Sequence, residues 1–433
     1  MLKVFNNKQI KSLKPLFISL SLFLITGVFT GFIGATMFSV IIFTLKKFNY
    51  KLEFFLTSFL LTYFLANNFS GPLAYNGNLR FSILALTLII VYQTKIKKLN
   101  LAWYTLPFVT ISLIITLLFS TLGYDAILRS IAYFFVAYAI FKLINILYIK
   151  HSNVSIILFL LLFGFILLNS ALLINPNYYL SGRFMGLTGN PNGLGMLLVF
   201  IFAIIDLLKQ RGELKGFSKK THLTNTIIII LLILASGSRT ALASLVFYLV
   251  ANNIVTNKKL IIPYSILSII GVTIIYTINI QDVLSLIGSN IELRLDTLET
   301  ASGRTIVWKV AWIEIYENLW YGQGFMYDNF FIKDYADKYI GMNRERHWAG
   351  IWSSYLSLLL NVGLVGLIAF AWMLFKFYQK AKLKPTAVIY IITILLIGIT
   401  ESWMAASMNP FTPLLFLYFA IQNQPLKKTI NYK

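Results

Sequence analysis

Three arginines sit in glycine- and serine-rich turns at the mouths of apolar runs. Arg183 lies in GRFMGLTGNPNG (182–193), Arg239 in ASGSRTALAS (235–244) and Arg304 in ASGRTIVWKVAW (301–312). A guanidinium presents a planar fork that grips two oxygens of a phosphate or carboxylate, which a lysine ammonium cannot do. Each turn also reads as a helix start. Asn190 is placed as an N-cap with Pro191 at the first helical position, Ser236 or Ser238 can cap the second helix, and Ser302 the third. The free amides at such starts form an anion site, to which Asn190 and Asn192 add side-chain polarity. A cation there is electrostatically misplaced by roughly 0.3–1 kcal/mol. Three such placements point to an anionic ligand, a phosphate above all.

The elements that must carry these turns are membrane helices. The chain is 58% hydrophobic and 12% charged with mean hydropathy +0.76, the composition of repeated apolar runs near spanning length. Fourteen candidate runs, with twelve to fourteen as the range of spans, give an all-α polytopic membrane bundle with both termini inside. The N-terminal run reads as an uncleaved first helix, and residues 16–45 as a short hairpin. Lysine clusters mark the inner face. On this topology eight of the nine arginines face outward: Arg80, Arg129, Arg183, Arg239, Arg294, Arg304, Arg344 and Arg346. Arg80 and Arg129 lack a motif and read as anchors.

Three parts follow: an N-terminal bundle (1–279), a large outer loop (280–350) and C-terminal spans (351–433). The loop holds ten of the fifteen acids and four of the eight tryptophans, so the chemistry is expected beside it. Val307, Trp308, Ala311, Trp312, Ile315 and Leu319 form an expected apolar stripe on a helix of that loop. The absence of cysteine excludes disulfides, thiolate zinc and a thiol nucleophile. The outer acids show no ligand spacing, so neither metal nor cofactor is expected. The net charge of +22 lies between spans rather than in a separate domain, which argues against nucleic acid. No glycine-rich nucleotide loop occurs, and an outward site would draw its donor from a lipid carrier.

The ordered set Arg183-Phe-x-Gly…Asn190-Pro-Asn192, Gly237-Ser-Arg239-Thr, Gly303-Arg304…Trp308 with Gly322-x-Gly324, and Ser354-Tyr-Leu…Gly363-Leu-Val-Gly366 resembles the O-antigen ligase and O-antigen polymerase superfamily. The likeness is strongest over 175–366. It implies a bacterial inner-membrane glycosyltransferase of the GT-C class whose site faces the periplasm or exterior. It further implies a donor and an acceptor on undecaprenyl pyrophosphate, and Arg183, Arg239 and Arg304 as the pyrophosphate holders. A flippase and a chain-length regulator of the same pathway would be its company in the membrane.

The family's His-Asn pair ahead of Tyr-Leu is replaced here by Trp352 and Ser353. His347, five residues earlier, is the first candidate for a base at the acceptor hydroxyl, with Glu345, Glu401 and Asp296 as fallbacks. Glu401 can equally be a scaffold partner of an arginine. The missing pair favours a polymerase that joins lipid-linked repeats with inversion. A ligase that moves the finished glycan to lipid A-core, and a flippase or exporter of lipid-linked oligosaccharide, are the alternatives.

Overall fold

A computed structural model describes residues 11–66, 72–94, 101–150, 153–214, 218–256, 304–335 and 350–426. The chain is an all-α polytopic membrane protein, because hydrocarbon leaves an apolar run no partners for its amides except its own carbonyls. Among the described residues are fourteen α-helices: α1 (Lys14–Thr44), α2 (Lys51–Leu65), α3 (Asn76–Tyr92), α4 (Leu106–Phe119), α5 (Tyr124–Lys150), α6 (Val154–Ala171), α7 (Pro191–Gln210), α8 (Lys219–Ser236), α9 (Arg239–Thr256), α10 (Arg304–Glu317), α11 (Tyr327–Tyr335), α12 (Ser354–Lys380), α13 (Lys384–Thr400) and α14 (Phe411–Gln422). Seven are long and apolar enough to cross a membrane, and α3, α9, α13 and α14 are shorter apolar helices. A single two-stranded ribbon, β1 (Tyr179–Leu180) and β2 (Arg183–Phe184), lies before α7.

The bundle is built around α7 and α14, which pack on each other. All twelve residues of α14 and seventeen of the twenty in α7 are buried, so these helices are covered by protein nearly all round. At the C-terminal end of α7 Arg211 ties that helix to the end of α14. Its guanidinium pairs with Glu213 at 2.7 Å and donates to the carbonyls of Gln424 and Pro425, both at 3.0 Å. By contrast α1 is largely exposed, as an outer helix should be. It turns at Gly31 (φ 68°, ψ −157°). Phe23 and Phe38, one on each side of the turn, both pack on Phe54, with ring centroids 5.8 and 6.2 Å away. Along a straight helix those fifteen residues would separate them by about 22 Å. The expected hairpin is therefore present.

The sequence reads 351–375 as one span, but α12 is broken at Gly363 (φ 61°, ψ −168°). The cause lies in the segment after α10, whose backbone enters the break. Gln323 N donates to Leu360 O (2.7 Å) and Gly324 N to Asn361 O (2.9 Å), while Leu364 N and Val365 N donate to Leu319 O (2.8 Å) and Trp320 O (3.2 Å). Glycine is needed on both sides of the splice. A Cβ on Gly322 would stand 2.7 Å from Leu360 O, and one on Gly363 only 2.3 Å from Trp320 O. The two glycine motifs, forty residues apart in sequence, are thus one structural device that fixes α10 to the membrane helix.

Asn361 and Asp328 lock the same joint. Asp328 N donates to Asn361 Oδ1 (2.9 Å), and Asn361 Nδ2 donates to Asp328 Oδ1 (3.0 Å). Burial pushes the Asp328 carboxyl above its ordinary range, opposed by hydrogen bonds from Asn361 and Ser357. A carboxyl whose folded pKa is raised favours the fold below the unfolded value and loses that contribution as pH rises through the window between the two. Asp328→Asn should therefore flatten the fall in thermal stability across that window and be nearly neutral at acidic pH. Asn361→Leu, which leaves the buried acid with fewer donors, should cost about 2–3 kcal/mol at pH 7. Thermal unfolding of purified protein in detergent across pH 4–8 reads both effects.

The stripe on α10 differs from the expectation. Val307, Val310, Ala311 and Ile315 are buried against Leu356, Leu360 and neighbours, whereas Trp312 is 45% exposed. Trp308 lies between, with Nε1 donating to Ile351 O at 2.9 Å. The helix is held chiefly by small and β-branched residues, which admit close contact with α12, and Trp312 turns outward.

Candidate functional site

Arg183 is delivered by a two-residue turn. Ser181 (φ 50°) and Gly182 (φ 76°) join β1 to β2, both in the left-handed region that a two-residue hairpin of matching twist requires. Arg183 Nε donates to Ser236 O (2.9 Å), the last residue of α8, and Nη2 donates to Asn192 Oδ1. Gly237 (φ 60°) ends α8, and a Cβ there would stand 3.0 Å from Arg183 Nε. Glycine thus serves both the left-handed cap and the approach of the guanidinium.

Asn190 caps α7 as expected, with Oδ1 accepting from Gly193 N at 3.2 Å. Its side-chain oxygen is committed to the helix. Asn192 instead forms a bridge, since its Nδ2 donates to Glu401 Oε1 at 2.9 Å. The cap expected from Ser236 is not made: its hydroxyl turns back to Ile233 O (2.7 Å). Ser302 lies outside the described residues.

Arg304 opens α10 and reaches the C-terminal end of α13. Its Nη1 donates to Thr400 O (2.5 Å) and its Nη2 pairs with Glu401 Oε1 (3.0 Å). The guanidinium also stands 6.0 Å from the ring of Trp352, within cation–π reach. Arg239, half-buried, opens α9 beside this group. The next residue, Thr240, shares a 2.6 Å hydrogen bond with Thr400. Glu401 is therefore the meeting point, joined to Arg304 directly and to Arg183 through Asn192. Burial raises its carboxyl pKa, and the charge and hydrogen bonds of Arg304 work in the opposite direction, followed by Arg183 and Asn192.

Two of the misplaced cations are compensated within the protein. Arg183 and Arg304 donate to the closing carbonyls of α8 and α13, the ends where a helix welcomes positive charge. Of the base candidates, Glu401 is in the cluster, while His347, Glu345 and Asp296 lie outside the described residues.

Several participants carried no charge signal in the sequence. Ser354 of the Ser-Tyr-Leu motif donates to Glu401 O (2.7 Å) and accepts from Trp403 N (2.9 Å), which pins the segment after α13. Ser402 Oγ accepts from Ser353 N (3.1 Å) and Ser357 Oγ (3.0 Å). Trp352 takes φ 49°, a conformation uncommon for a bulky residue, and this turn sets its ring beside Arg304. The only available hint was its position in the motif.

Residues 224–371 match the family described as O-antigen ligase. The match takes in Arg239, Arg304, Trp352, Ser354 and the Gly363 splice, while Arg183 and Glu401 fall outside it. No curated protein matches the chain. The family implies a glycosyltransferase-like membrane enzyme, with a function of the O-antigen ligase and polymerase type. The ordered motifs, the helical membrane bundle and this match agree, and residues 224–371 place that part of the chain with the O-antigen ligase and O-antigen polymerase superfamily.

Proposed function

We propose that the protein is a polysaccharide polymerase of the bacterial cytoplasmic membrane. It joins oligosaccharide repeats carried on undecaprenyl pyrophosphate into O-antigen, capsule or exopolysaccharide, at a site facing away from the cytoplasm. The observation that carries this reading is the meeting at Glu401 of Arg304, directly, and Arg183, through Asn192, beside the start of α9, where Thr240 next to Arg239 bonds Thr400. The glycan's anomeric carbon must release a pyrophosphate. Arg183, Arg239 and Arg304 stabilise that leaving group as its charge develops, which is the task preorganised donors perform best. The acceptor hydroxyl attacks from the opposite face, inverting the anomeric centre, and gives its proton to a base among His347, Glu345 and Glu401. Asn192 and Glu401 hold the arginine forks in register before the substrate arrives.

A ligase is the second reading, favoured by the description of the matched family. Against it stands Trp352 at the place where the family commonly has histidine. Purified protein in detergent, supplied with lipid-linked repeats, separates the readings. A polymerase lengthens the glycans, a ligase acts only when lipid A-core is added, and a flippase does nothing without a sealed bilayer. Orientation has its own test. A cysteine introduced at Tyr316, 79% exposed on α10, should react with an impermeant thiol reagent in intact cells. One at Lys219, exposed at the start of α8, should not. The reverse pattern would overturn the outward site.

A further inference from the structure

The ten residues 401–410 join α13 to α14 without forming a helix, yet Glu401, Trp403, Met404, Ala405, Ser407 and Met408 are buried. Irregular backbone inside a membrane bundle needs partners for its amides and carbonyls that neither a helix nor water supplies. Side chains supply them here. From α12, Ser354 Oγ donates to Glu401 O (2.7 Å) and accepts from Trp403 N (2.9 Å) and Met404 N (3.3 Å). Asn409 folds the segment back on itself: Nδ2 donates to Trp403 O (2.7 Å), while Oδ1 accepts from Phe411 N (3.0 Å) and Thr412 N (2.9 Å). Thr412 Oγ1 donates to Ala406 O at 2.7 Å. A further hold comes from the N-terminal half of the chain. Arg80 Nη1, on α3, donates to Met408 O, and Tyr63 OH, on α2, donates to Met408 Sδ at 3.2 Å.

The sequence reads Arg80 as an anchor, which would extend its nitrogens into water. Instead Nη1 is committed to a backbone carbonyl and Nε is buried. Met408 adjoins Asn409, Asn409 binds Trp403 O, and Trp403 N and Glu401 O share Ser354 Oγ. A contiguous chain of bonds therefore leads from Arg80 to Glu401, the residue that pairs with Arg304 and accepts from Asn192. We propose that Arg80 is a positioning residue: through Met408 it seats the 401–410 segment so that Glu401 stays in register with Arg304 and Asn192. Its effect on transfer rests on the polymerase reading; the seating itself does not.

Amide hydrogen exchange of the full chain in detergent tests the seating without any substrate. Arg80→Gln should speed exchange about tenfold at Trp403 and Met404, the amides that bond Ser354 at the far end of the segment. Arg80→Lys, which keeps one donor for one carbonyl, should restore protection to within about twofold. Tyr63→Phe removes the other hold on Met408 by a single atom and should speed exchange at the same two amides about threefold, which carries the test if Arg80→Gln folds poorly. Unchanged exchange, or faster exchange confined to 405–410, would overturn the proposal. With lipid-linked repeats as substrate, Arg80→Gln should lower kcat about tenfold. It should also move the acid side of the pH–rate profile upward. A Glu401 carboxyl out of register keeps its burial but loses help from Arg304 of α10 and from Arg183 and Asn192, with Arg239 at the start of the adjoining α9 unchanged. Arg80→Lys should restore both readings. A lower kcat with the acid side unmoved would mark a plain loss of folded protein and would count against the proposal. Failure of the polymerase reading looks different: the exchange pattern holds, yet wild type does not elongate lipid-linked repeats.

Discussion

Arg239→Lys and Arg304→Lys should each lower the rate of glycan transfer by about 10²–10³, on the order of 2–4 kcal/mol of transition-state stabilisation. The positive charge remains in both variants, but the fork that spans two phosphate oxygens is lost. Arg304 also closes α13 through Thr400 O and pairs with Glu401, so its variant carries some structural cost. Thermal unfolding at equal membrane levels separates that cost from the loss of rate. Lys309→Gln, an exposed position on the same α10, should be near wild type although it removes a whole charge. If the arginines were only water-facing anchors, lysine would serve within about 1 kcal/mol.

The second large effect is expected at Gly363. Its dihedral angles belong to a region open essentially to glycine alone, where another residue costs about 1–3 kcal/mol. Gly363→Ala must in addition displace Trp320 O, 2.3 Å from the new Cβ, and with it the splice that seats α10. Four backbone hydrogen bonds at about 0.5–1.5 kcal/mol each depend on that seat. Gly31→Ala is the internal comparison, with nearly the same dihedral angles (φ 68°, ψ −157°) and nothing within 4 Å of the new atom. It should show the dihedral cost only. The difference in unfolding midpoint between the two variants isolates the splice. Equal losses would mean that the loop is not clamped in α12.

What the sequence revealed, and what it hid, divides along one physical line. Spans and caps are local properties, written in runs of apolar residues and in Asn190-Pro191. The hairpin turn at Gly31 and the N-cap of α7 were legible for that reason. The break in α12 was not, because it depends on a backbone segment about forty residues away entering at Gly363. Periodicity alone ran straight through it. Glu401 was legible as a partner of an arginine, but its link to Arg183 was not, since that link runs through Asn192, 209 residues away in the chain. Trp312 misled for a related reason: a helical stripe gives a face, and only the partner helix decides where that face ends.

The central claim is that the leaving pyrophosphate sits beside Glu401. A lipid-linked donor with a photoreactive group on its first sugar, next to the anomeric carbon, tests it most directly. Cross-linking in detergent followed by peptide mapping should mark the segments around Arg183–Asn192, Gly237–Thr240, Arg304–Trp308 and Thr400–Trp403. Excess polyprenyl pyrophosphate should suppress that labelling. Labels confined to the segment around Asp206–His222, at the opposite end of α7, or insensitive to polyprenyl pyrophosphate, would contradict the account.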